Sequence, residues 1–147
     1  MLRSGLALTG AQSTLEQWRQ GKVPDSSSDG ILTAEEAGTL RLQDTWLVTL
    51  SACDTGSGQL STGEGVLGLR RGFMMAGTEN LLMTLWPVAD QETADVMIDF
   101  YKRALKSGNA PEALAQVQCE WLARLRKERG LAQAVRLAGP FVLIFRR

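Results

Sequence analysis

A chain of 147 residues with 44% apolar and 22% charged side chains is long enough to bury a core, and with four prolines and two cysteines it is not a disordered, collagen-like or disulfide-framework protein. Lys plus Arg equals Asp plus Glu at 16 each, so no net field draws it to nucleic acid or to an anionic membrane. It contains no histidine, which removes the commonest general base near neutral pH and the commonest metal ligand.

The first residues carry one basic side chain and an unbroken apolar run only from Leu6 to Leu8, short of a signal-peptide core. After a short apolar piece, Gly5 to Thr9, a helix is predicted around Ser13 to Trp18. A polar loop at about residues 20–30 ends in Pro24-Asp-Ser-Ser-Ser-Asp-Gly30. Thr33-Ala-Glu-Glu36 has capping-box spacing and predicts a short helix over 34–39. Trp46-Leu-Val-Thr-Leu50 is a near-continuous apolar run, as expected of a strand buried on both faces in a mostly parallel sheet. It stops at Ser51-Ala-Cys-Asp-Thr-Gly-Ser-Gly58. A second capping-box spacing, Ser61-Thr-Gly-Glu64, opens a helix with Val66, Leu69, Phe73 and Ala76 on one face and Gly77 as its stop. Asn80 to Trp86 repeats the buried-strand pattern as far as Pro87. Ala94, Met97, Ile98, Tyr101 and Leu105 then recur at helical spacing through Gly108. Another helix from about Pro111 carries Leu114, Val117, Trp121 and Leu125, and Phe141 to Phe145 reads as a final strand.

Charge is unevenly placed: residues 1–100 hold 6 basic and 13 acidic side chains, and residues 101–147 hold 10 and 3. Because Arg124, Arg126, Lys127 and Arg129 share their predicted helix with Glu120 and Glu128, a solvated helix end is favoured over a direct nucleic-acid contact. Cys53 and Cys119 have no Cys-x-x-Cys spacing, so neither a metal nor a cofactor is expected, and a reducing cytoplasmic setting fits best. No apolar stretch has the length of a membrane span.

Alternating strands and helices point to the α/β class, with helices on the sheet faces. Function then gathers at the carboxyl ends of parallel strands, here the loops at 51–63 and 87–91. Cys53 sits at such an end, followed by Gly56, Gly58, Gly63 and Gly65, a setting for a nucleophile loop or for a small core hydrophobe. The glycines match no phosphate-binding pattern. Cys119, about 140° around its helix from Leu114, reads as structural or incidental. Met74, Met75 and Met97 read as core, and Glu64 as a cap in preference to a residue that orients the nucleophile loop.

Three ordered motifs carry a resemblance: Leu47-Val-Thr-Leu-Ser-Ala-Cys-Asp-Thr-Gly56, Thr62-Gly-Glu-Gly-Val-Leu-Gly-Leu-Arg-Arg71 and Leu85-Trp-Pro-Val88. Together with Leu2-Arg-Ser-Gly-Leu-Ala-Leu and Asp29-Gly-Ile-Leu-Thr-Ala-Glu-Glu upstream, the chain resembles the CHAT domain, a caspase-like module related to separases. The resemblance implies a partial caspase-like three-layer sandwich. Residues 1–147 would form its carboxyl-terminal, Cys-bearing portion. It also implies a cysteine endopeptidase with Cys53 as nucleophile, paired with a His-Gly that the family carries on an earlier strand and this sequence lacks. Leu137-Ala-Gly-Pro140 departs too, standing where the family usually has aromatics.

By the same resemblance Cys53, Asp54 and Gly56 form the nucleophile and oxyanion loop. Asp90 matches the separase acid that faces a basic P1 side chain, although as a residue it serves equally as an N-cap. Asp54 is a second acid for that side chain or a turn residue bonding its own backbone. The implied partners are a protein or peptide substrate and a His-bearing amino-terminal half or partner chain. None of Lys22, Lys102, Lys106 and Lys127 has a sequence reason to approach the 51–58 loop as a substitute base. The alternative is an inactive CHAT fragment serving as a protein-interaction or scaffold module. In either case a bare sheet edge invites self-association.

Overall fold

Glycines and short polar side chains set the turns from which the fold is assembled. In a computed structural model, residues 5–24, 29–50, 64–86 and 90–146 are described. They divide between two units, Met1–Thr45 with Leu60–Thr78 and Trp46–Gln59 with Glu79–Arg147.

In the first unit, β1 (Gly5–Ala7) pairs antiparallel with β2 (Ile31–Thr33), with Gly5 opposite Thr33 and Ala7 opposite Ile31. Gly30 closes this ribbon at φ 70°, where an added Cβ would lie 2.5 Å from the Ala11 nitrogen, so only glycine fits. Helix α1 (Ala11–Arg19) is pinned from its buried Thr14, whose hydroxyl donates to the Asp29 carbonyl at 2.7 Å. Thr33 caps α2 (Ala34–Thr39) as its spacing predicts. Its hydroxyl accepts the Glu36 amide at 3.2 Å, and the Glu36 carboxylate accepts the Thr33 amide at 2.8 Å. In α3 (Glu64–Ala76) the predicted face holds at Phe73 and Ala76, both buried, while Leu69 is half-buried. Gly77 stops the helix at φ 111°, and the Leu42 amide satisfies the Ala76 carbonyl at 2.9 Å. Gly72 lets α3 lie against α2, since a Cβ there would run into the Ala34 carbonyl oxygen.

In the second unit, β3 (Leu47–Leu50), β4 (Asn80–Thr84) and β5 (Phe141–Phe145) form a sheet in the order β3-β4-β5. Strands β3 and β4 are parallel, with Leu47 opposite Asn80 and Leu50 opposite Met83. Strand β5 runs antiparallel to β4, so among the described strands this sheet is mixed where the sequence predicts a mostly parallel one. Before β5 the chain also forms α6 (Leu131–Ala138), a helix missed in the sequence, which follows α5 (Ala110–Arg129) after Gly130. Burial also departs from expectation. Central β4 is buried along its whole length, but β3, paired on one side among the described residues, is half-buried throughout.

Packing on α4 (Asp90–Ser107) corrects a second reading. The buried stripe is Val96, Phe100 and Ala104, whereas Ala94 is exposed and Ile98 and Leu105 are 49% and 72% exposed. Met97 and Tyr101 lie at the border, half-buried against the core. The predicted stripe is rotated about one residue from the real one because several apolar side chains on α4 face out. Likewise Met74 and Met97 are half-buried, but Met75 is 61% exposed and is not core. On α5 the predicted face is right: Leu114, Val117, Trp121 and Leu125 are all buried against Leu82, Leu137 and Phe141. Asn109 caps that helix by accepting the Glu112 amide at 3.1 Å. Gln118 fixes the joint between α6 and β5, donating to the Ala138 and Phe141 carbonyls at 3.0 and 2.9 Å. The Trp121 indole donates to Asp99 at 3.0 Å and lies under Arg124, 3.8 Å from the ring centroid.

Candidate active site

Because β3 and β4 are parallel and in register at Leu50 and Met83, their carboxyl ends leave the sheet side by side. Such ends are where open α/β sheets place ligands. Cys53, Asp54 and Gly56 lie three, four and six residues beyond β3, outside the described residues. Ser61 and Gly63 lie outside them as well. Asp90 is described as backbone. It is the first residue of α4. The two strands therefore end side by side, β3 three residues before Cys53 in sequence and β4 six residues before Asp90.

Two side-chain contacts hold these strand ends, and neither was read from the sequence. The Thr49 hydroxyl lies 2.7 Å from the Tyr101 hydroxyl, tying the end of β3 to α4. Trp86, two residues past β4, donates its indole N–H to the Arg136 carbonyl at 3.1 Å, tying that segment to α6. The signal for the first was present only in part: Tyr101 falls on the predicted α4 stripe, but its polar end has no partner that spacing could name. Between the strand ends and α4 is a cavity of about 20 Å³, lined by Thr49, Leu82, Thr84, Met97 and Phe141 among others. It has room for one water molecule.

All four lysines are exposed, with Lys102 and Lys106 on α4 and Lys127 near the end of α5. Cys119 is an exposed free thiol on α5, away from the buried face. Among the described residues no group of three acidic, Cys or His side chains is placed to hold a metal ion. No helix among them is long and apolar enough to cross a membrane. Two ionisations are displaced. The Glu36 carboxyl is held below the usual range by the Thr33 amide and hydroxyl, and the Arg103 guanidinium is raised by its hydrogen bonds to Glu120. Both belong to structural contacts.

A family model described as CHAT domain matches residues 1–137, more than nine-tenths of the chain. The chain belongs to the CHAT domain family. No curated protein and no solved structure matches it significantly. The CHAT match spans both units, and it takes in β3, Cys53, α3, β4 and Asp90.

Proposed function

We propose that this chain is the Cys-bearing part of a CHAT-type cysteine endopeptidase, with a partial caspase-like sandwich as its fold, and that Cys53 attacks a peptide carbonyl after a basic P1 residue. The observation that carries the reading is the place of Cys53 in a matched CHAT domain, three residues past the carboxyl end of a strand that runs parallel to its neighbour. In this reading amides of the 53–56 loop face the oxyanion of the tetrahedral intermediate, a contribution on the order of 3 kcal/mol per donor. Asp90, and Asp54 beside it in role, face the cationic P1 side chain.

The general base is not among these 147 residues. A thiol of pKa about 8.5 is only about 3% thiolate at pH 7, and a histidine partner normally both activates it and protonates the leaving amine. We therefore assign the histidine to another segment or partner chain. The isolated chain is expected to cleave amides very slowly. Two measurements test this. The pH dependence of alkylation at Cys53, read against Cys119 by peptide mass spectrometry, is expected to show Cys53 titrating below 8.5. Adding a His-bearing CHAT amino-terminal half is expected to restore cleavage after Arg or Lys that Cys53→Ala abolishes and Asp90→Asn weakens. A well-folded complex with no Cys53-dependent cleavage would count against the enzyme.

The histidine count itself favours a second reading, an inactive CHAT fragment that serves as an interaction or scaffold module. It predicts that Cys53→Ala leaves every partner interaction unchanged.

A further inference from the structure

The strand that leads to Cys53 is held unevenly. Among the described residues its backbone pairs only with β4, whereas β4 is paired on both sides. Its side chains are half-buried from Leu47 to Leu50. Thr49, four residues before Cys53, also lines the 20 Å³ cavity with Met97 and Thr84. A void leaves its lining without contact partners on that side, so packing by itself holds Thr49 loosely. What does hold it is the 2.7 Å bond to Tyr101, the chain's single tyrosine. Tyr101 is itself anchored, half-buried against the core and next to Phe100, with ring centroids 5.4 Å apart. Eleven residues toward the amino terminus of the same helix is Asp90, about 16 Å along the axis.

We propose that Tyr101 is a positioning residue for the nucleophile: through Thr49 it fixes the carboxyl end of β3, and so the direction in which the chain leaves toward Cys53, relative to the helix that begins at Asp90. This role rests on the reading of Cys53 as the nucleophile. The residue that positions the thiol thus lies on a helix that the sequence offers only as core.

The test uses the full chain and three single variants. Tyr101→Phe and Thr49→Val each remove the bond while keeping shape, and Thr49→Ser keeps the hydroxyl. The reading is the pH profile of alkylation by iodoacetamide at Cys53, with Cys119 as internal control. With wild-type Cys53 titrating below 8.5, Tyr101→Phe and Thr49→Val are each expected to move that midpoint upward. Each should also slow alkylation at pH 7 by about threefold, the change that half a pKa unit produces. The double variant is expected to do no more than either single, since both remove the same bond. Thr49→Ser should follow wild type, and Cys119 should not change in any of them.

An unchanged Cys53 profile in both Tyr101→Phe and Thr49→Val, whatever happens to the melting temperature, overturns the positioning role and leaves the nucleophile reading standing. An ordinary midpoint near 8.5 in the wild type sinks the nucleophile reading and the positioning role with it. If circular dichroism shows that Tyr101→Phe does not fold, Thr49→Val alone decides.

Discussion

Thr33 and Glu36 satisfy two amides at the start of α2, and the exchange is chemical as well as geometric. Because the Thr33 amide and hydroxyl favour the charged carboxylate, the folded pKa of Glu36 lies below its ordinary value of 4.5. A depressed carboxylate contributes stability that is present above the unfolded pKa and lost as pH falls through the folded one. Glu36→Ala is therefore expected to melt below wild type at pH 7, with the gap narrowing as the pH drops below about 4.5. A gap that stays constant from pH 7 to pH 3 would remove the charge from the explanation. Gly72 shows the opposite kind of dependence, on an absent atom. A Cβ at that position meets the Ala34 carbonyl oxygen, a backbone atom with no rotamer to move it away. Gly72→Ala is expected to cost about 1–3 kcal/mol in urea unfolding, despite the better helix propensity of alanine, because the α2–α3 approach must widen.

Helix α4 is where the reading of elements is decided by packing. Its apolar residues cover more than half of its circumference, so spacing offers two overlapping stripes, and the neighbours in space choose between them. Val96, Phe100 and Ala104 go inward against α5 and the sheet, and Ile98 and Leu105 stay in solvent. Phe100→Ala is expected to destabilise by about 3–5 kcal/mol, and Ile98→Ala by no more than about 0.5 kcal/mol. Chemical denaturation of the two variants checks this directly, and equal losses would restore the stripe read from the sequence. On α5 the large side chains Leu114, Val117, Trp121 and Leu125 fall on one stripe, and there periodicity and burial agree at all four predicted residues. The caps follow the same logic. Thr33 and Asn109 act within three residues of themselves, so their roles depend on no distant partner.

For the molecule as a whole, the free side of β3 is the feature with the largest expected consequence. Among the described residues β3 has one strand neighbour, and its half-buried apolar side chains flank a row of backbone donors and acceptors. Such an edge is a template for another strand. The isolated chain is expected to self-associate as its concentration rises, and light scattering that shows a sharp monomer at all concentrations would contradict this. Addition of a His-bearing half should suppress the association if that half occupies the β3 edge.

The sequence by itself determined the α/β class, the capped start of α2, the α5 face, the strands that begin near Trp46 and at Asn80, and CHAT family membership. All of these are written in contiguous residues, because a cap, a periodic stripe and a strand-to-loop motif each close within a few turns of chain. Cys53 and Asp90 were legible as candidates in the same way, from their places just after near-continuous apolar runs. The tertiary structure alone decided that β5 runs antiparallel, that α4 turns Phe100 rather than Ile98 inward, and that Thr49 meets Tyr101 across 52 positions. Each of those outcomes is a choice between near-equal local options. It is made by whichever surface lies opposite, and that surface comes from distant residues whose meeting no spacing along the chain records.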